Sequence, residues 1–570
     1  MPARLGVIAD DLTGAGDTGL QFGKRGLRTV VLLDLPAAGG MGGPASGLAE
    51  ADVLVVDTDS RAASTDAAYR RVREAASALL ARGVAQLYKK VDSTLRGNVG
   101  SEIDALLDET GASAALVAPA FPANGRTVAG GRLLVHGVPL AETDFARDPI
   151  WPARDSHVPA ILAAQTRRPV GQVELATIRG GAVAIAAAVE AGRRRDGVQV
   201  FVLDAVRSDD LAAVARTVVA SAGRWIGVGS AGLAEHLPDA LGLAALTPDL
   251  SLGEREQVQA DRPLAMAGGG VPPSNAKKEA RESSTPSGQA PRDVARGGEN
   301  AVRPSPVAGA EPDAAGKGVR GLGQLAPTLV VVGSVNSLAR RQLAVLVECR
   351  STVVVELDAI GCLERAVRPP ADQTRLVERL SAAAAGDVAS AAAAARRALA
   401  DGQDVVLALA APSRGCDRAD ARGCESADAR GCSPLLDAAA DRAADPVSGR
   451  LSALAAELRL SPGEVARAVV GVLAQATAAT WRSEAPIGGL VLTGGDTARA
   501  ICRALGALGL VVESEVLAGI PCCHLVGGPA AGLAVITKAG GFGPPEALAR
   551  AVEYLQDRST RCRATTPRDE

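Results

Sequence analysis

The chain has 570 residues, too many for one compact core, and that length points to about two to four domains. It is 47% hydrophobic and 22% charged with a formal net charge of -3, which leaves no footprint for nucleic acid and no long basic run for an anionic membrane. No uncharged apolar stretch is long enough to span a bilayer. Aromatic residues make up 2%, so the cores must be built from Ala, Val, Leu and Ile, which suits helices packed closely on a sheet.

The first apolar segment, Met1 to Ala9, runs straight into Asp10 and Asp11. It is shorter than a secretory signal and lacks a small-residue cleavage site, so it reads as a first strand of a cytoplasmic protein. Leu5–Ala9, Thr29–Asp34, Val53–Asp57, Gln86–Lys90, Ala114–Ala118 and Val198–Asp204 read as strands, with amphipathic helices such as Thr65–Arg82 and Gly100–Leu107 between some of them. That alternation predicts a mostly parallel sheet with helices on its faces. Gly130–Pro139 reads as an excursion with small strands of its own.

Asp10 and Asp11 fall at the carboxyl end of a buried strand, where open parallel sheets bind ligands. Two carboxylates there suit holding a metal ion, orienting sugar hydroxyls, or accepting a proton; the plainer role is capping the next helix. Gly14, Gly16 and Gly19 spell GxGxxG, but four residues separate the motif from the strand, and Asp17 lies inside it. A dinucleotide pyrophosphate would be repelled. This match and a second at Gly227, Gly229 and Gly232 are expected to be strand-to-helix turns.

KKVDSTLRGN follows a strand and gathers Lys89, Lys90, Asp92, Ser93 and Arg96, with Arg61 a further candidate after VLVVDTDSR. Cations beside hydroxyls fit recognition of a carboxylate or a transferring phosphoryl group. In APAFPANGRT and SHVP, loop residues Asn124, Arg126 and His157 are candidates to face a ligand.

Residues 268–326 are rich in Gly, Pro, Ala and charge and read as a disordered linker. The α/β pattern then resumes with strands at Thr328–Gly333, Thr352–Leu357, Val405–Leu409 and Gly489–Thr493. Helices are expected at Ser337–Glu348, near 451–459 and 462–480, and after Gly489–Thr493. Nine cysteines occur, three of them (Cys416, Cys424, Cys432) at eight-residue intervals in a low-complexity insertion near 412–445. That spacing fits no zinc pattern. Cys522-Cys523-His524 reads as core packing, because neighbours on a strand face opposite ways. No resident metal site is assigned.

Three strand-to-helix or glycine turns, at GSVN (333–336), TGGDTA (493–498) and TKAGGFG (537–543), suggest phosphate cradles in one domain. GxxxxGK[ST] is absent, so there is no P-loop. The fold class expected is therefore α/β with two domains, each a mostly parallel sheet flanked by helices, joined by the linker: 1–250 and 327–560.

GVIADDLTGAGDTG, KKVDSTLRGN, APAFPANGRT, TGGDTA and ITKAGGFG occur in an order that resembles the four-carbon acid sugar kinase family. The likeness covers nearly all of 1–250 and 327–555. It implies an N-terminal sugar-binding domain, a C-terminal nucleotide-binding domain, and phosphorylation of a terminal hydroxyl by ATP with Mg2+. Carried over by motif, Asp10, Asp11, Arg61, Lys89, Lys90, Asp92, Ser93 and Arg96 belong to the sugar region. Ser334, Gly494, Gly495, Asp496, Thr497, Gly540 and Gly541 belong to the nucleotide region. Asp10, Asp11 and Asp92 are the expected catalytic carboxylates, with Asp10 or Asp11 as proton acceptor. The expected partner is a small acid sugar; a homo-oligomer is left open. The insertion near 412–445 is bulkier than the family pattern and falls where it would crowd an adenine site. Two other functions compete: an NAD-dependent oxidoreductase resting on the GxGxxG, and a sugar-acid sensor without catalysis.

Overall fold

The computed structural model of the chain describes residues 3–34, 50–147, 152–243, 326–333, 336–367, 376–410, 450, 453–457, 460, 462–481 and 487–565. Its strands are β1 (Leu5–Ala9), β2 (Thr29–Leu32), β3 (Val53–Asp57), β4 (Gln86–Lys90), β5 (Ala114–Ala118), β6 (Arg126–Ala129), β7 (Arg132–Val135), β8 (Val138–Pro139) and β9 (Val170–Val173). They continue with β10 (Val200–Leu203), β11 (Trp225–Gly229), β12 (Thr328–Val332), β13 (Thr352–Leu357), β14 (Asp404–Leu409), β15 (Gly489–Thr493), β16 (Gly509–Leu517), β17 (Ile520–Val526) and β18 (Ala534–Lys538). Among the described residues, 15 strands form one sheet, ordered β13-β14-β12-β15-β18-β17-β16-β2-β3-β1-β4-β11-β5-β10-β9. The excursion near 130–139 is the separate sheet β6-β7-β8.

Every residue of β1 is buried, and β1 pairs in parallel with both β3 and β4. A near-continuous apolar run is what a parallel strand covered on both faces requires. The helix Thr65–Ala81 shows why the covering elements form: Ser64 caps it at Ala67 N, and Ala68, Val72, Ala75, Ala76 and Leu79 recur on one buried face. Registry brings the carboxyl ends of neighbouring strands level, because Ala9 lies opposite both Asp57 and Lys90, and Gly229 opposite both Lys90 and Ala118. In the C-terminal half, Val332, Thr493 and Lys538 line up likewise at the ends of β12, β15 and β18.

The two halves share one sheet. Strand β16 pairs antiparallel with β2 through Gly509–Leu32, Leu510–Val31 and Val511–Val30. A Cβ on Gly509 would stand 2.4 Å from the Val31 carbonyl oxygen, so only glycine permits this approach. Three successive antiparallel pairings, β2 to β16, β16 to β17 and β17 to β18, reverse the strand sense between the halves.

The helix Leu12–Gly23 straps across this seam and corrects the reading of the first GxGxxG. All three glycines lie inside the helix rather than in a turn. A Cβ on Gly16 would lie 3.3 Å from Pro521 and 3.4 Å from Thr537, and one on Gly19 would lie 3.0 Å from Val512. The glycines let the helix approach the β16–β18 strands closely. In the second match, Gly227 and Gly229 end β11, and Gly232 lies in the short helix Ala231–Ala234, so a strand-to-helix turn does occur there.

The helix expected at 462–480 is Pro462–Trp481, and 453–457 are helical. The expected linker at 268–326 lies, Ala326 apart, outside the described residues, and the insertion near 412–445 lies wholly outside them. Among the described residues no helix is long and apolar enough to cross a membrane.

A buried ion pair also links the halves. Arg499, on the helix Gly495–Ala504, pairs with the fully buried Asp57 carboxylate at the end of β3. It also reaches Asp34 at 3.2 Å. Removing one member of such a pair leaves a buried charge uncompensated. Arg499→Met is expected to destabilise the chain by about 3–5 kcal/mol, read as a lowered urea midpoint, with part of the loss recovered in the Asp57→Asn/Arg499→Met double variant.

Candidate active site

The carboxyl ends of the two strand sets open on one cavity of about 620 Å³. From the N-terminal half come Asp11, Arg61, Lys90, Asp92, Ser93, Arg96, Asn124 and Arg126; from the C-terminal half come Gly495, Gly540 and Gly541. These eleven sequence candidates are brought together. Asp10, Lys89, Gly494, Asp496 and Thr497 flank the cavity without lining it, and Ser334 lies outside the described residues.

Arg61 organises the acidic corner. Its Nε and Nη2 donate to Asp10 at 2.8 and 3.0 Å, while Nη1 and Nη2 donate to Asp11 at 2.6 and 2.8 Å. Asp11 also caps its helix, accepting from Gly14 N at 2.8 Å and from the Thr13 hydroxyl at 2.7 Å. The capping role and the site role therefore coexist in one side chain. Burial alone would raise the Asp10 carboxyl, but Arg61, Lys90 and Lys89 outweigh it and hold it below the usual carboxylate range.

Asp92 is bound up in the same way. Arg96 donates to its two oxygens at 2.7 and 3.1 Å, and Thr94 donates to it as well. Against burial, Arg96 and Arg61 hold its carboxyl well below the ordinary value. Lys89 turns beneath the sheet, where its ammonium meets the buried Glu102 at 2.8 Å and donates to the carbonyls of Lys90 and Ile8.

Arg126 differs from both other cavity arginines. It donates to the Asn124 carbonyl, its Nε is buried without a hydrogen-bond partner, and no carboxylate pairs with it among the described residues. Burial lowers its pKa. The small sheet supplies the wall beside it: Val135 and His136 line the cavity with Phe121 and Phe145, and Arg96 stacks 5.7 Å from the Phe145 ring centre.

Among the cavity residues that escaped the sequence reading of the site, two carry chemistry used below, Asp17 and Lys538. Asp17 is half-buried, and among the described residues its carboxylate accepts one hydrogen bond, a long 3.4 Å contact from Gln21. Burial raises it to about 6, against the opposing charges of Lys90 and Lys24. The signal was its place six residues beyond Asp11 in the helix that Asp11 caps, read there only as an argument against a dinucleotide. Lys538 ends β18 with 1% exposure. A lysine closing an apolar strand before two glycines was visible in ITKAGGFG.

Glycines shape the C-terminal wall. Gly494 takes φ 104°, a conformation open to glycine, and its N–H donates to the Lys538 carbonyl at 2.9 Å. Gly495 abuts the N-terminal half so closely that a Cβ would lie 3.0 Å from Asp11 Oδ2. Thr497 is buried against Gly333, whereas Asp496 stands exposed in the first turn of its helix. Desolvation in that turn, then the Asp59 and Asp11 carboxylates, raise the Asp496 carboxyl. Cys522 and Cys523 are core residues.

Comparison with known proteins matches this division. Residues 5–237 match the family model of a sugar-binding N-terminal domain, and residues 424–548 that of a nucleotide-binding C-terminal domain. The chain is 31% identical over 556 residues to a D-threonate kinase of Salmonella typhimurium, covering 97% of this chain and 98% of that one. It is 30% identical over 551 residues to a D-erythronate kinase of Heliobacterium modesticaldum, covering 96% of each. A crystal structure from Salmonella typhimurium LT2 shares the fold at 20% identity, covering 96% of this chain and 98% of that one with a TM-score of 0.59. With a cavity fed by both halves and relatives that span almost its whole length, this chain belongs to the four-carbon acid sugar kinase family.

Proposed function

We propose that the chain transfers the γ-phosphoryl group of ATP to the C4 hydroxyl of a four-carbon sugar acid such as threonate, erythronate or 3-oxo-tetronate, in the cytoplasm. The observation that carries this reading is a cavity with a cation on each side that no carboxylate pairs with among the described residues: Arg126 in the N-terminal half and Lys538 in the C-terminal half. One suits the carboxylate of the acid, and the other the phosphate chain of the nucleotide. Residues 1–250 then form the acid-sugar domain and 327–560 the nucleotide domain, with Gly494, Gly495, Gly540 and Gly541 framing the phosphates.

In this reading Arg126 holds the substrate carboxylate, assisted by Lys90. Ser93 and Asn124 hydrogen-bond its hydroxyls. Arg61 and Arg96 are fixed by Asp10, Asp11 and Asp92 and present oriented charge to the transferring group. Lys89 acts from below the sheet by fixing β4. The hydroxyl oxygen attacks the γ-phosphorus, the bond to the β–γ bridging oxygen breaks, and ADP leaves. The hydroxyl proton passes to Asp17, a cavity carboxylate that no arginine hydrogen-bonds among the described residues. Asp10 and Asp11, the acceptors expected from the sequence, serve instead to anchor Arg61. Little covalent help is required of the protein, because phosphoryl transfer rests on positioning and charge.

Mg2+ fits the donor set. Asp496 shares its surroundings with Asp59 and Asp11, and a divalent cation would relieve that excess of negative charge. Mg2+ is commonly held by one or two carboxylates together with substrate phosphates; Asp496 would hold it, since both Asp11 oxygens already accept from Arg61, Gly14 and Thr13, and it would neutralise phosphate charge. The test is ADP release from Mg-ATP by the folded chain across a panel of threonate, erythronate and 3-oxo-tetronate. Turnover with one of them supports the reading, and silence across the panel overturns it.

A further inference from the structure

Among the described residues, buried lysines stand in the last two positions of two strands, Lys89 and Lys90 in β4 and Lys538 in β18, and the surroundings of Lys89 and Lys538 differ. Lys89, next to last in β4, is fully buried and has a carboxylate, Glu102, at 2.8 Å. Lys538, at the end of β18, is almost as deeply buried, yet no carboxylate pairs with it among the described residues. Among the described residues its ammonium donates to neutral oxygens: the Ala539 carbonyl at 2.9 Å, the Thr493 hydroxyl at 3.3 Å and the Gly540 carbonyl at 3.4 Å. A lone buried charge is costly, and proteins retain one where something else pairs with it. Lys538 lines the cavity together with Gly495, Gly540 and Gly541, so an anion on those glycine turns would lie beside it.

We infer that Lys538 grips the phosphate chain of the nucleotide and that the nucleotide, rather than any carboxylate of the chain, is its counter-ion. The inference rests on the reading of the C-terminal half as the nucleotide site. It has a consequence that an ordinary surface contact would not produce. Burial pushes the empty-site ammonium down to about 7, so above that pH Lys538 is largely neutral before binding. An arriving polyanion favours the charged form and raises the pKa. Between 7 and that raised value the complex holds more protons than the empty protein. Binding therefore draws in a proton, and affinity weakens by up to about tenfold per pH unit.

The experiment is calorimetric titration of the full chain with Mg-ADP at pH 6 and pH 8, each in buffers of different ionisation enthalpy, for the unaltered chain, Lys538→Arg and Lys538→Met. At pH 8 the unaltered chain is expected to take up roughly one proton per nucleotide, and at pH 6 close to none. Lys538→Arg, charged at every working pH, should bind with that uptake abolished. Lys538→Met should bind on the order of 100-fold more weakly. Tight binding by the unaltered chain with no buffer-dependent heat at pH 8, or equal affinity in a folded Lys538→Met, overturns the role of Lys538 while leaving the nucleotide site standing. Absence of any Mg-ADP binding by the folded unaltered chain overturns both.

Discussion

Asp17→Asn is expected to lower kcat by about 10²- to 10⁴-fold, the usual contribution of a positioned general base, with the KM for the acid changed little. The isosteric amide keeps the Gln21 contact but cannot accept the proton. The pH profile separates this from a structural loss. A base works only when ionised, and burial holds Asp17 near 6, so kcat should rise through pH 6 and level off above it. That acidic limb should vanish in Asp17→Asn. The charged groups acting on Asp17 include Lys90 from β4, Lys24 just past its own helix, Glu515 from β16 and Arg126 from β6, and Lys24 and Glu515 pair with each other at 2.6 Å. An acidic limb that persists unchanged in the variant would transfer the role to another group.

Arg126→Met is expected to act on the other kinetic constant. If the guanidinium meets the substrate carboxylate in the cavity, truncating it leaves a desolvated anion without its partner, a loss of about 2–5 kcal/mol. That corresponds to roughly 30- to 5,000-fold in kcat/KM, carried mainly by KM. Because no carboxylate of the chain pairs with Arg126 among the described residues, its removal strands no buried anion, and the melting temperature should hold. The neutral polyol erythritol gives a control without a second variant. It should be a poor substrate for the unaltered chain, and Arg126→Met should discriminate far less between it and the acid. Equal loss on both substrates would mean that Arg126 shapes the wall rather than reads the charge.

Much of the parallel framework was legible because it is written locally. β1, β3, β5, β12, β14 and β15 are largely apolar runs, and these strands and β4 each fall within a residue of the expected position. The strands from 509 to 538 were not assigned, since β16 and β17 carry Glu513, Ser514, Glu515 and His524 among their apolar residues. The pairing of β16 with β2 depends on a partner nearly 480 positions away and leaves no local periodicity. In the site, motifs marked the chemistry but not its internal pairing. Asp10 and Asp11 looked like free carboxylates until Arg61 was seen to hold both. Lys89 and Lys90 looked equivalent until the alternation of a strand sent one to Glu102 and the other into the cavity. Arg126 and Lys538 stand out through what does not touch them, and residue order carries no record of that.

The seam between β2 and β16 makes this enzyme indivisible. Each half has its own strand set and, in the proposed reading, its own ligand, so the two invite separation into exchangeable modules. Cutting them apart would leave β2 exposed as the border of one piece and β16 as the border of the other, each offering unpaired N–H and C=O groups to any passing strand. A piece made alone should self-associate, and the two pieces made in the same cell should find each other through that border. Inheritance would then keep the halves together, since neither can be gained, lost or traded without exposing an adhesive edge.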